Sequence, residues 1–471
     1  MKRRILVIGG LAAGPSAASK AKRASPDSDV VLYEQGEFIS YGICEIPYFV
    51  SNEITDPQQL IVYSPDRLLK EKGVVAKTRH LVEEIVPSKK ETHIRNLNDG
   101  TTFVDKYDKL IVATGSRPKQ LSIEGANARN VFTIKSLDGA YALKKFLDEE
   151  RPRQAVIIGA GFIGMEMADA LSARGISVDI IHRGKFPLSH LELDAEKIVV
   201  EELEHHHVRF HPDETAEWFG VGAKGNVVAV GTKSGTIETD LVIVAIGVEP
   251  NSSLAEHAGI EIGKFGGVCV SDKMKALGAE DIYVAGDCCE LRNIITRRPM
   301  YISLATTASK TAWIAGENAA GGNAVFKGTM RAIGVRVFTK EIAHVGLSAT
   351  EAAESNFDPV TNTVRVPSKV GMMPGSKELL ITLIADKRSS RLLGANIVGG
   401  EGAVLRANVF AAAIRHGLSV DDVAQFDLIY TPPYAPLWDG ILIAAQQMKS
   451  KMAPEATKKL LRPKGGAQAH S

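Results

Sequence analysis

Two segments of this sequence share one local pattern, and that pattern constrains the fold more than any other feature. Residues 4–9 (RILVIG) form a short apolar, β-branched run that enters Gly9–Gly14 (GGLAAG) and then the Ala-rich stretch Ala17–Ala24. Such a run predicts a buried parallel strand feeding a glycine turn and a helix. A second strand, DVVLYE, closes on Glu34. In a dinucleotide site the glycines let the backbone approach a pyrophosphate, the helix N-terminus holds it, and the acid accepts from ribose hydroxyls. Leu11 stands where the motif has its middle glycine, with Gly10, Ala12 and Ala13 completing the turn, so the strand–turn–helix context carries the reading.

The pattern returns at 155–164 (AVIIGAGFIG), with Gly159, Gly161 and Gly164 fully in register around Phe162 and Ile163. A helix over Met165–Arg174, carrying Glu166, and a strand over Ser177–Ile181 are predicted to follow. Glycine turns without a ligand are the bland explanation of either motif alone; two, each in a strand–turn–helix context, argue for two bound dinucleotides. Where an acid would read the second ribose, the chain has His182 and Arg183, with Lys185 close behind. An acid repels a 2′-phosphate and Arg attracts it, which favours NADPH and leaves NADH possible.

A chain of 471 residues has room for roughly three domains. The net charge of +1 gives no support to nucleic-acid binding. No apolar run reaches the ~18 residues of a membrane span. Lys2, Arg3 and Arg4 before Ile5–Ala13 imitate a signal peptide, but the run is short and broken by Gly9 and Gly10. The four cysteines, Cys44, Cys269, Cys288 and Cys289, contain no CxxC and fit a reducing cytoplasm. His205–His207 and His211 read as a solvent-facing cluster rather than metal ligands, because adjacent helical side chains diverge.

Three further segments carry a family resemblance. LIVATGSRP (Leu110–Pro118) and LVIVAIGVEPN (Leu241–Asn251) resemble the crossover segments of the pyridine nucleotide–disulfide oxidoreductases, and DIYVAGDCCE (Asp281–Glu290) resembles their second FAD motif. SLATTASK (Ser303–Lys310) is similar to the helix start that faces the flavin pyrimidine edge. The resemblance assigns FAD contacts to Gly9, Gly10, Ala12, Ala13, Gly14, Glu34, Val82, Ala113, Thr114, Gly115, Arg117, Asp287 and Ala305. It assigns nicotinamide-nucleotide contacts to Gly159, Gly161, Phe162, Ile163, Gly164, Glu166, His182, Arg183, Lys185 and Gly247.

The redox motif sets the branch. FISYGICEIPYF (Phe38–Phe49) has Ser40 and Cys44 rather than CxxxxC, and resembles the single-cysteine members: coenzyme A–disulfide reductase, persulfide reductase, NADH peroxidase and NADH oxidase. The peroxidases and oxidases carry a histidine where this chain has Ala12, which disfavours them. The resemblance implies electron flow from NADPH through FAD to a disulfide of Cys44 with coenzyme A or a related thiol, or to a Cys44 persulfide. A non-enzymatic flavin redox sensor is the rival from another class. Cys44 lies before an apolar, Pro-containing helix start, whose dipole is expected to lower its pKa.

Asp427–Gly440 (DLIYTPPYAPLWDG) lacks the histidine of the dithiol members and resembles the tyrosine-bearing segment of coenzyme A–disulfide reductases. By that resemblance Tyr434 and Tyr430 enter the partner subunit's site in a homodimer. Met372 and Met373 stand where related chains carry a Tyr pair. Lys20 and Arg23 match residues that meet coenzyme A phosphates, although a solvated helix face explains them equally. The expected fold is α/β, with two Rossmann-like dinucleotide-binding domains plus a C-terminal α+β dimerisation domain. Its expected parts are FAD domain 1–117 and 246–328, NAD(P) domain 118–245, interface domain 329–450 and a disordered tail 451–471. No metal is expected.

Overall fold

The structure is a computed structural model that describes residues 2–453. They fall into two compact units, one of residues up to Arg183 with Val208–Thr329, the other of Gly184–His207 with Met330 onward.

The first unit contains two five-stranded parallel sheets. One runs Ile282–Val284, Lys109–Val112, Arg4–Ile8, Asp29–Tyr33, Val75–Lys77. Its central strands Ile5–Val7 and Leu110–Val112 are fully buried, as a parallel sheet covered on both faces requires. The other runs Arg209–His211, Ser177–Ile181, Gln154–Ile158, Leu241–Val244, Val131–Thr133. Helix Ala13–Ala24 starts four residues earlier than the alanine run alone indicates. It packs on helix Ala305–Ala319, and a Cβ at Gly316 would stand 2.3 Å from the carbonyl oxygen of Ala17, so only glycine permits this approach.

An antiparallel ribbon joins the two sheets: Ser116–Pro118 pairs with Val248–Pro250. Gly115 and Gly247, both at positive φ, turn the chain into it. Asn251 locks the crossing, donating to the Thr114 carbonyl at 3.0 Å while its own carbonyl accepts from the Thr114 hydroxyl at 2.6 Å.

The second unit is built on a five-stranded antiparallel sheet in the order Ala332–Val337, Lys340–Gly346, Leu392–Gly399, Glu378–Asp386, Pro359–Pro367. Gly184–His207, which the sequence reading keeps within 118–245, belongs here. Its helix Leu193–His205 buries Ala195, Val199 and Leu203, and buried Glu202 accepts from the Thr339 amide at 2.8 Å and hydroxyl at 2.7 Å. Helix Gly440–Met452 runs two residues into the expected tail, and 454–471 lie outside the described residues. No helix among the described residues is long and apolar enough to cross a membrane, and none of their His, Cys, Asp and Glu side chains cluster in threes as metal ligands. His206 stacks on Phe338 at 4.1 Å and His211 bonds Asp179 at 2.8 Å.

Candidate active site

The first glycine turn is shaped by contacts that exclude side chains. A Cβ on Gly9 would meet the Ala113 carbonyl oxygen at 2.2 Å, and one on Gly14 would meet the Gly9 oxygen at 1.7 Å. Glu34 accepts from the amides of Gly10 and Gly36, both at 2.6 Å, which fixes its carboxylate beside the turn. Helices Ala13–Ala24, Phe162–Ser172 and Ala305–Ala319 all start without a side-chain cap and without an acid in the first turn. Leu137–Glu150 and Gly440–Met452, by contrast, are capped by Ser136 and Asp439. Uncapped starts leave N–H donors and the positive dipole end for an anion.

The second turn repeats the geometry, with Cβ positions 2.4 Å from the Ala245 oxygen at Gly159 and 2.0 Å from the Gly159 oxygen at Gly164. Gly161 differs: nothing lies within 4 Å of its Cβ position, so no protein contact demands glycine there. That opening leaves the backbone of the turn free for the close approach a pyrophosphate would need. His182 spends Nδ1 on the Ala160 amide at 3.3 Å, tying the strand end to this turn. Lys185 falls in the other compact unit.

Asp287 receives its protein donors on Oδ2 alone: the Ser116 hydroxyl at 2.9 Å, Ser303, and Lys135 at 3.4 Å. Its other oxygen has no protein donor among the described residues and fits a ligand hydroxyl such as the ribityl chain would present. Val82 is buried in strand His80–Val86, Arg117 pairs with Glu249 at 2.7 Å across the ribbon, and Ala305 opens its helix. These residues fit FAD: Glu34 for ribose, the first turn for pyrophosphate, Asp287 for the ribityl chain.

Ser40 sits at φ +47°, and its amide donates to the Gly10 carbonyl at 2.8 Å while its own carbonyl accepts from Val62 at 2.8 Å. The segment leading to Cys44 is thereby clamped to the first glycine turn. Beyond it, helix Ile46–Val50 is held at its C-terminal end by Lys144, which reaches the Phe49 carbonyl at 3.3 Å, and Arg174, which reaches that of Val50 at 3.2 Å. Cations there complement the dipole. Cys44 is exposed, whereas Cys288 and Cys289 are fully buried.

The expected lowering of the Cys44 pKa is corrected. Although part of Cys44 is exposed, the protein around it partly desolvates the thiol and pushes it up; the carboxylates of Glu45, Glu166 and Asp287 add to this, and Lys135 opposes them. A five-residue helix has too few aligned peptides for its dipole to outweigh the nearby carboxylates. Lys135 escaped the sequence reading; only its place just before the Ser136 cap marks it, and that signal is not specific.

Lys20 is paired with Glu317 at 2.7 Å and lies 3.8 Å over the Trp313 ring. In the second unit Tyr434 is 78% exposed and Tyr430 46%, in a segment that also exposes Ile429, Leu437 and Trp438.

The sequence pattern of the pyridine nucleotide-disulphide oxidoreductases matches residues 3–312, and that of their dimerisation domain matches 333–439. The chain belongs to this family. The oxidoreductase is 33% identical over 450 residues to the NAD(P)H coenzyme A polysulfide/persulfide reductase of Pyrococcus horikoshii, covering 95% of this chain and 99% of that protein. It is 28% identical over 435 residues to the coenzyme A disulfide reductase of Staphylococcus haemolyticus, covering 92% and 96%. Among solved structures, reduced CoADR-RHD of Bacillus anthracis superimposes with a TM-score of 0.93 at 30% identity, over 96% of this chain and 81% of that one. The fold is therefore the mixed α/β architecture of this family with its C-terminal dimerisation domain.

Proposed function

We propose that this oxidoreductase uses NAD(P)H to reduce a sulfur–sulfur bond at Cys44, chiefly the mixed disulfide with coenzyme A or a related thiol. The carrying observation is Cys44 itself, the exposed cysteine, on a segment bonded through Ser40 to the FAD-type glycine turn. FAD, when bound, relays the two electrons of a hydride to that sulfur. The disulfide takes up two electrons and two protons, its S–S bond breaks, and Cys44 thiol and free coenzyme A thiol result. A Cys44 persulfide reduced to thiol and sulfide is the second reading, favoured by the name of the Pyrococcus relative.

The chain's own residues bind and orient. Gly159–Gly164 receives the nicotinamide nucleotide, and Arg183 favours its 2′-phosphate form. Lys20 already neutralises Glu317, so Arg23 is the better placed of the two to meet a coenzyme A phosphate. Tyr434, with Tyr430 secondary, donates a hydrogen bond to the departing thiolate in the partner subunit of a homodimer, a role open to a phenol. Its exposed, apolar segment lies in the dimerisation domain and supports that role. Lys135 is the cation that favours thiolate at Cys44.

Cys44→Ser tests the reading. Reduction of coenzyme A disulfide and of persulfides should disappear while bound flavin remains reducible by NADPH; retained activity with either substrate would refute a redox role for Cys44. Intact-mass measurement of the unreduced protein separates the two substrates, as a coenzyme A adduct or one extra sulfur on Cys44.

A further inference from the structure

Helix Ala403–His416 carries Arg406 in its first turns, where the positive dipole end disfavours a cation. The guanidinium is nonetheless buried, 11% exposed, against an equally buried carboxylate, that of Asp439 at 2.9 Å. Its remaining donors go to backbone carbonyls: Ser368 at 2.7 Å, Tyr434 at 3.1 Å and Gly402 at 3.3 Å. One planar group therefore ties three separate stretches of chain together.

Two of those stretches end in exposed loops. Ser368 follows strand Pro359–Pro367, and its amide and hydroxyl bond Lys377, closing the base of the loop that exposes Met372. The Tyr434 carbonyl belongs to the turn in which the Tyr434 and Ala435 amides both donate to Thr431 at 3.0 Å. Asp439 caps the following helix through the Ile441 amide at 3.0 Å, and Gly440 presses that helix onto the sheet, where a Cβ would stand 2.5 Å from Val366. The segment bearing Tyr434 is thus anchored at Asp439 and at its own carbonyl by the same guanidinium that anchors the Met372 loop.

We infer that Arg406 is a positioning residue, whose clasp on Asp439, Ser368 and Tyr434 sets the phenol of Tyr434 for the sulfur substrate and fixes its spacing from the Met372 loop. The inference rests on the role given above to Tyr434. Lysine cannot replace the fork: its three donors radiate from one point and do not span carboxylate and carbonyls together.

The test uses the flavin-loaded dimer with coenzyme A disulfide and NADPH. Arg406→Lys keeps the charge beside Asp439. Arg406→Met with Asp439→Asn removes the pair without stranding a buried carboxylate and keeps a capping side chain. Both should leave dimer size, the KM for NADPH and the rate of flavin reduction unchanged. The kcat for coenzyme A disulfide should fall by about ten- to a hundredfold, the scale of a misplaced catalytic group. Adding Arg406→Lys to Tyr434→Phe should cost nothing further, because both changes break one linkage. Normal turnover in Arg406→Lys, or losses that multiply in the double variant, would overturn the clasp alone. Wild-type turnover in Tyr434→Phe would overturn the role of Tyr434 and the clasp with it.

Discussion

Lys135 holds its ammonium 3.4 Å from Oδ2 of Asp287, and the same charge acts on the Cys44 thiol. A side chain from the segment before helix Leu137–Glu150 thus links Asp287 to Cys44. Lys135→Met should raise the pH at which Cys44 becomes reactive, because it removes the cation that favours thiolate. Glu166→Gln should lower that pH, because it removes an opposing carboxylate. The rate of Cys44 alkylation against pH reads both, and shifts of the same sign in the two variants would contradict this electrostatic account.

Arg183 follows the strand whose end His182 ties to the second glycine turn. A guanidinium on a 2′-phosphate forms charge-assisted hydrogen bonds of about 1.5–3 kcal/mol. Arg183→Ala should therefore raise the KM for NADPH by about ten- to a hundredfold and leave that for NADH nearly unchanged. Steady-state kinetics with both nucleotides check this; equal losses would mean that Arg183 acts on the fold rather than the phosphate.

Much of this site could be read from sequence because its determinants are local. Apolar runs ending at Gly9 and Gly159 specify strand, turn and helix within a dozen residues, and both parallel sheets grow from them. What escaped is long-range. Lys135 on Asp287, Lys144 and Arg174 on helix Ile46–Val50, and Arg406 on Tyr434 join residues distant in the chain, and no periodicity announces them. Gly184–His207 likewise joins the rest of its unit through distant partners, Glu202 with Thr339 and Glu192 with Ala349. The sign of the Cys44 shift is not legible in the sequence, because a Pro-containing helix start reveals neither the helix's five-residue length nor the approach of Glu166.

The C-terminal unit contains a buried histidine that should make its stability depend on pH. Burial, the charge of Arg331 and neighbouring His190 hold His344 neutral, with its pKa pushed down to about 3, while Asn396 bonds its Nδ1 at 2.7 Å. Between pH 3 and 6.5 the unfolded chain binds the proton that the folded one refuses, so this contribution is lost as pH falls through that window. Glu196, pushed up to about 7 by burial and Glu192, has the opposite slope and weakens the fold as pH rises from 4.5 to 7. Thermal unfolding across pH 4–7.5 should show a shallower acid loss in His344→Gln and a steeper one in Glu196→Gln. Parallel curves for wild type and His344→Gln would remove His344 from the account.

The glycines of the second turn separate folding from nucleotide binding. Gly164 is required by the protein, since a methyl there would lie 2.0 Å from the Gly159 oxygen and force turn and helix apart. Gly161 is not: its φ of −82° and ψ of −173° are open to any residue, and its Cβ direction is empty. Gly161→Ala should therefore fold normally, losing at most about 1 kcal/mol as a poorer helix cap. Its methyl would stand where the pyrophosphate must approach the backbone, so the KM for NADPH should rise at least about tenfold. Flavin content should be unchanged, because the first turn is untouched. Gly164→Ala should instead lower the unfolding midpoint and the yield of folded protein. Urea unfolding with nucleotide titration of the flavin-loaded protein distinguishes the two, and a Gly161→Ala protein with wild-type NADPH affinity would show that no pyrophosphate sits on this turn.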